Sequence, residues 1–129
     1  MRYPIAIEQG DDKHAFGVVV PDLPGCFSAG DTLDEAIDNA REAIELWLES
    51  VIDDGGAVPE PRAIAAHQKN PEFAGWVWAV VSIDLAKLSD KAERVNITLP
   101  ARVLRRIDAA ARAAGESRSG FIAHLALKG

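Results

Sequence analysis

The pattern of apolar and polar residues along the first 30 positions predicts three short strands. In the first run, Tyr3, Ile5 and Ile7 alternate with Pro4, Ala6 and Glu8, as in a half-buried strand, and Pro4 is tolerated there near a sheet edge or a strand start. A polar turn at 10–13 separates this run from a β-rich run at 14–20, so the two are expected to form a hairpin. Residues 26–28 leave room for a short third strand, because prolines and glycines lie on both sides.

A long amphipathic helix is predicted next. Thr32 and Glu35 have the spacing of a capping box, and apolar residues then recur every three or four positions over about six turns until Gly55 and Gly56. The apolar stripe consists of Leu33, Ala36, Ile37, Ala40, Ile44, Trp47, Leu48 and Val51. The opposite face carries Asp34, Asp38, Glu42, Glu45, Glu49 and Asp53. This acidic face is either solvated or a docking surface for a basic partner, and both interpretations stay open.

The region after this helix is predicted to contain one more strand. Residues 57–75 are rich in proline, alanine and polar side chains, which indicates a loop with one short helix at 62–68. The near-continuous apolar run at 76–83 predicts a strand in a central position, covered on at least one face. The polar residues that follow predict a linker at 86–93.

The last third of the chain begins with another alternating run, which predicts a strand that ends at Pro100. One face of this strand carries Val95, Ile97 and Leu99, and the other carries Arg94, Asn96 and Thr98. A helical period then follows, with an apolar stripe of Leu104, Ile107, Ala111 and Ala114. Gly115 is suited to close this helix, and Ser117 is suited to cap a second one.

One strand and two short helices make a unit too small to fold alone, because domains of fewer than about 40 residues rarely bury enough surface. A second copy would pair the strands antiparallel about a twofold axis and let four helices share one core. We therefore expect a homodimer, which could pair further into a tetramer. Its expected core consists of Val95, Ile97, Leu99, Leu104, Ile107, Phe121, Ile122 and Leu125. An ordinary amphipathic dimerisation arm is the alternative interpretation.

The formal net charge of −6 hides an uneven distribution. Residues 91–129 hold eight Lys and Arg against three Asp and Glu, a net charge of +5. Residues 1–90 hold six basic against 17 acidic side chains, a net charge of −11. This asymmetry favours two domains with different partners, the basic one suited to nucleic acid. The acidic charge by itself is equally consistent with mere solubility.

A two-stranded ribbon made by two copies would have the right width for the major groove of DNA. The side chains expected to contact bases are Arg94, Asn96 and Thr98, whose donors and acceptors suit base edges. The side chains expected to contact phosphates, with the free amides at the start of the second helix, are Ser117, Arg118 and Ser119.

In element order, lengths and the Ser-Arg-Ser start of the last helix, residues 94–127 resemble the ribbon-helix-helix repressors. Residues 21–49, PDLPGCFSAGDTLDEAIDNAREAIELWLE, resemble the signature of the HicB antitoxin family. Together the resemblances imply an α+β protein. A partial RNase H-like β-β-β-α-β domain would span 1–85, and a dimeric ribbon-helix-helix domain would span 94–129.

The HicB resemblance also implies a function. It implies a type II antitoxin that masks HicA, a small basic ribonuclease toxin, and represses its own operon by binding operator double-stranded DNA. Candidate toxin contacts lie in the signature loop: Asp22, Leu23, Pro24 and Phe27. The alternative is a stand-alone ribbon-helix-helix transcriptional regulator whose N-terminal domain senses a small molecule or another protein.

Catalytic chemistry is not predicted. Metal-dependent hydrolysis needs carboxylates that converge, whereas the predicted strand interiors are apolar. The three histidines show no metal-ligand spacing with Cys26, so ordinary surface or core roles are expected, and neither a cofactor nor a metal is. A single cysteine, no signal-like start and no membrane-length apolar run together favour a reducing cytoplasm.

Overall fold

The computed structural model describes residues 1–88 and 92–128, and within these ranges it is an α+β protein. Its N-terminal part is a four-stranded antiparallel sheet in the order β3-β2-β1-β4. The strands are β1 (Arg2–Glu8), β2 (Phe16–Val19), β3 (Phe27–Gly30) and β4 (Val77–Ser82). The predicted succession of three strands, a helix and a strand is confirmed.

Strand β1 is one of the two inner strands, between β2 and β4. Its Tyr3, Ile5 and Ile7 are fully buried on the face that packs into the core. Pro4 is not near a sheet edge, since it lies opposite Val80 of β4. It does lie near the strand start, and the β2 pairing covers only the later residues of β1, from 6 to 8. Near a strand start, a residue without an N–H is tolerated.

The expectation that the 76–83 run is a central strand is wrong, because β4 lies at the edge of the sheet beside β1. Its apolar character has another cause. The ring of Trp78 contacts both His67 of helix α2 (Ile64–His67) and Phe73 of the following 3₁₀ turn. The loop region thus covers Trp78 on the outer face of this edge strand, whereas Val80 on the same face is 46% exposed.

The long helix is α1 (Leu33–Asp53), and it begins as predicted. The Thr32 hydroxyl accepts a hydrogen bond from the amide of Glu35 at 3.1 Å. The stripe that meets the sheet is fully buried at Ala36, Ala40, Ile44 and Leu48. After the helix, Gly55 has a φ of 76°, a backbone conformation that glycine adopts without strain.

The C-terminal part contains two helices, α3 (Ala101–Ala113) and α4 (Arg118–Leu127). Gly115 separates them with a φ of 68°, as its predicted capping role requires. The Ser117 hydroxyl caps α4 by accepting from the amide of Gly120 at 2.9 Å. Both helices and their caps agree with the prediction.

Residues 92–100 carry neither helix nor strand in the single chain. A strand is defined by hydrogen bonds to a neighbour, and one chain supplies one copy of the ribbon, so the strand stays a prediction. The predicted linker at 86–93 begins inside a 3₁₀ turn at Leu85–Lys87, in which Leu85 is buried. Residues 89–91 of the predicted linker and residue 129 of the predicted C-terminal domain lie outside the described residues. Within the described ranges, no helix combines the length and the apolar character needed to cross a membrane.

Candidate functional site

The ribbon segment, residues 92–100, is exposed along its whole length. Val95 and Ile97 are 72% and 65% exposed, so two large apolar side chains that lie two positions apart both face solvent. The predicted base-contacting side chains Arg94, Asn96 and Thr98 are exposed as well. The segment therefore offers an apolar set and a polar set of side chains to whatever approaches it.

The remaining members of the expected dimer core follow the same trend. Leu104, Ile107 and Phe121 are half-buried, whereas Ile122 and Leu125 are exposed. None of these five side chains, and none of the three in the ribbon, is buried within the single chain. The C-terminal unit thus leaves all eight of these apolar side chains at least partly exposed.

The predicted phosphate site at the start of α4 is only partly arranged as expected. The Arg118 guanidinium donates two hydrogen bonds to the Asp108 carboxylate of α3, at 2.8 and 2.9 Å. This pairing lowers the pKa of Asp108 and raises that of Arg118. Arg118 therefore joins the two helices in this structure, a contact that its sequence position did not reveal. Ser117 and Ser119 are exposed.

An acidic side chain from the N-terminal part lies against this helix start. The Ser117 hydroxyl donates to Oδ2 of Asp84 at 3.4 Å. A side chain at Gly120 would place its Cβ 2.7 Å from Oδ1 of the same carboxylate. Asp84, at a predicted strand end, is thus a contact between the two parts of the chain.

Further ion pairs join α4 to the N-terminal part. The His124 imidazole lies 2.7 Å from Oε1 of Glu60 through Nε2 and 3.0 Å from Oε1 of Glu116 through Nδ1. The Glu116 side chain is 5% exposed and also lies 3.1 Å from the amino group of Met1. At the end of α4, the backbone amide of Val58 donates a hydrogen bond to the carbonyl of Leu127 at 2.9 Å. A cavity of about 300 Å³ lies beside these contacts, lined by both parts.

The signature loop divides into buried and exposed residues. Asp22 is 9% exposed and Leu23 is fully buried, so neither offers its side chain to a partner, contrary to the expectation for both. Leu23 belongs to the hydrophobic core, which explains its burial. Pro24 is exposed and Phe27 is 65% exposed. Both line a surface cavity of about 490 Å³ that extends to Phe73.

Beneath this cavity, Asp22 holds the 57–73 loop. It accepts hydrogen bonds from the backbone amide and from Nε of Arg62, at 3.1 and 3.3 Å. Nε2 of His67 lies 3.0 Å from Oδ2 of Asp22, within ion-pair distance, but it is not aligned for a hydrogen bond. The His67 ring is nearly parallel to that of Trp78, at 11°. The sequence predicts ordinary surface or core roles for the histidines, and no local spacing links positions 22 and 67.

The acidic residues of α1 lie along its outer side, as the periodicity predicts. They are exposed or half-buried at positions 34, 38, 42, 45, 49 and 53. Leu46, on the same helix, is 61% exposed.

The single cysteine, Cys26, lies in the core rather than in a site, and burial raises the pKa of its thiol. Across the described residues, no three His, Cys, Asp or Glu side chains converge as metal ligands.

The sequence and the fold are both similar to those of known proteins. Residues 3–126 match the model of a family described as HicB-like antitoxin of bacterial toxin-antitoxin system. A 14.9 kDa protein from the rep-hol intergenic region of Haemophilus phage HP1 is 44% identical over 98% of this chain and 95% of its own.

Two solved structures share the fold. The antitoxin HicB of Burkholderia pseudomallei has a TM-score of 0.79 and 45% identity, and the match covers 98% of this chain and 96% of that one. A chain from a HicA3 and HicB3 toxin-antitoxin complex has a TM-score of 0.55 and 31% identity, and the match covers 65% of this chain and 99% of that one.

Proposed function

Because the chain belongs to the HicB-like antitoxin family of bacterial toxin–antitoxin systems, we propose that it neutralises a HicA-like toxin through its N-terminal part and binds operator DNA through a dimeric C-terminal part. The solved HicA3 and HicB3 complex supports the choice of toxin, since the match covers 65% of this chain. A partial RNase H-like fold for residues 1–85 and a ribbon-helix-helix fold for 94–129 are parts of the same proposal.

The observation that carries the DNA-binding half is the exposed ribbon. Val95 and Ile97 present large apolar side chains to solvent within residues 91–129, which carry a net charge of +5, and a second copy would bury them. Pairing of two ribbons would place Arg94, Asn96 and Thr98 of both copies on one outer face. That face has the chemistry of direct base readout.

For the toxin-binding half, Pro24 and Phe27 remain candidates because their side chains are accessible. The outer side of α1 adds negative charge that would attract a basic protein. The proposal therefore assigns no toxin contact to Asp22 and Leu23, whose side chains serve the fold.

The DNA-binding half is tested with the duplex immediately upstream of this chain's own gene and a scrambled duplex of equal length. The wild type should prefer the upstream duplex, with affinity that falls steeply as salt rises. Asn96→Ala should lose about 1 to 3 kcal/mol of that preference. Gln68→Ala, which removes an exposed amide from the N-terminal part, should keep it. Equal affinity of the wild type for both duplexes would contradict the proposal.

The toxin half is tested by mixing the chain with a small basic protein encoded next to it. Expected results are a complex in size-exclusion chromatography and loss of that protein's ribonuclease activity. A Phe27→Glu variant should weaken the complex, whereas Leu33→Glu, at an apolar side chain also exposed (40%), serves as the matched control. Persistent ribonuclease activity with saturating wild-type chain would exclude neutralisation.

A further inference from the structure

The start of α4 is where the proposed DNA phosphate and the N-terminal part of the same chain meet. The first amides of a helix lack partners within the helix, and they attract anions. In the structure, an anion is already there. The Asp84 carboxylate lies 3.4 Å from the capping hydroxyl of Ser117 and directly against Gly120.

Asp84 is held in this place by the N-terminal part. Its Oδ1 accepts from the amide of Ala86 at 3.0 Å and so caps the 3₁₀ turn. The preceding residue, Ile83, donates its amide to the carbonyl of Met1 at 2.7 Å, and the following residue, Leu85, is buried. The carboxylate is therefore a fixed feature of that part, and α4 docks onto it.

Gly120 is the counterpart of this contact on α4. Gly120 is the third residue of α4 and is buried there. The close approach of Asp84 favours a glycine at this position, because a Cβ at position 120 would lie 2.7 Å from Oδ1 and 3.0 Å from the Ser117 hydroxyl. The sequence of α4 thus accommodates the carboxylate.

We propose that Asp84 competes with DNA phosphate for the start of α4, so that docking of α4 on the N-terminal part holds the chain in a state of low DNA affinity. The inference rests on the DNA-binding half of the proposed function. A phosphate brought to these amides would meet a like charge at close range, and the neighbouring cation, Arg118, is directed to Asp108. Tight binding requires α4 to leave Asp84.

Two full-chain variants test this with the upstream duplex, by fluorescence anisotropy. Asp84→Asn keeps the shape and removes the charge, whereas Gly120→Ala displaces the carboxylate sterically without changing any charge. Asp12→Asn is the matched control, since it changes the net charge equally in the hairpin loop, at the opposite end of β1 from Met1. Thermal melts establish that each variant is folded.

Both test variants should bind about fivefold or more tightly than wild type, and Asp12→Asn should stay within about twofold. An Asp84→Asn affinity no higher than that of Asp12→Asn, with wild type binding DNA, overturns the competition alone. Absence of DNA binding by all four proteins overturns the DNA-binding half of the proposed function and the competition with it.

Discussion

Nε2 of His67 lies 3.0 Å from Oδ2 of Asp22, and both side chains are 3% exposed. Asp22 lies in the signature loop and His67 in α2. Asp22 also accepts hydrogen bonds from the backbone amide and from Nε of Arg62. A buried carboxylate with these partners ties the signature loop to the 57–73 loop. Asp22 is thereby explained by the fold.

Replacing Asp22 should therefore reduce stability. Asp22→Ala leaves the Arg62 amide without its acceptor and removes the carboxylate from beside the buried His67 ring, at an expected cost of about 1 to 3 kcal/mol in the free energy of unfolding. Urea denaturation monitored by tryptophan fluorescence measures it. The exposed Asp12→Ala should change that free energy by less than about 0.5 kcal/mol, and an equally small effect at Asp22 would refute the role.

A glycine pair tests the close packing of β3 on α1. A Cβ at Gly30 would lie 2.8 Å from the Cα of Ala36, a backbone atom that has little room to move, whereas a Cβ at Gly17 of β2 meets nothing within 4 Å. Gly30→Ala should destabilise the protein by about 1 to 3 kcal/mol. Gly17→Ala should be neutral or slightly stabilising, because it restricts the unfolded chain. Thermal melts should give a lower Tm for Gly30→Ala than for Gly17→Ala. Equal Tm values would show that α1 shifts to accommodate the added methyl group.

The dimer prediction is tested in the ribbon. Ile97→Glu places a charge where a second copy is expected to bury an apolar side chain, so the dimer should dissociate into monomers. Light scattering after size-exclusion chromatography measures the mass. Leu46→Glu, on the equally exposed surface of α1, should leave the mass unchanged. A wild-type mass for the Ile97 variant would rule out this face as the interface.

The Asp108–Arg118 pair predicts a pH effect in the C-terminal part. Arg118 lowers the pKa of Asp108 in the folded chain, so the pair stabilises the fold above the ordinary carboxyl pKa and loses this contribution as the pH falls below about 4. The urea midpoint of the wild type should therefore drop further on acidification than that of Asp108→Asn. Parallel pH profiles of the two proteins would show that the pair contributes nothing.

Much of the fold follows from local pattern. The N-cap at Thr32, the buried stripe of α1 and the cap at Ser117 each depend on neighbouring residues of one helix, and all three are confirmed. The predicted central position of β4 is wrong, because an apolar run indicates burial and not the order of strands in a sheet. The ring of Trp78 in β4 packs against His67 and Phe73, which precede it in sequence.

The features of the candidate site also divide into local ones and ones that depend on tertiary packing. The sequence by itself determined the uneven charge, the amphipathic ribbon and the helix caps, because charge and periodicity are local properties of neighbouring residues. Only the tertiary structure decided that Asp22 is buried against His67, that Arg118 pairs with Asp108, and that Asp84 lies at the start of α4. These contacts join residues 10 to 45 positions apart, and only the packing of sheet, loop and helices brings such distant groups within hydrogen-bonding distance.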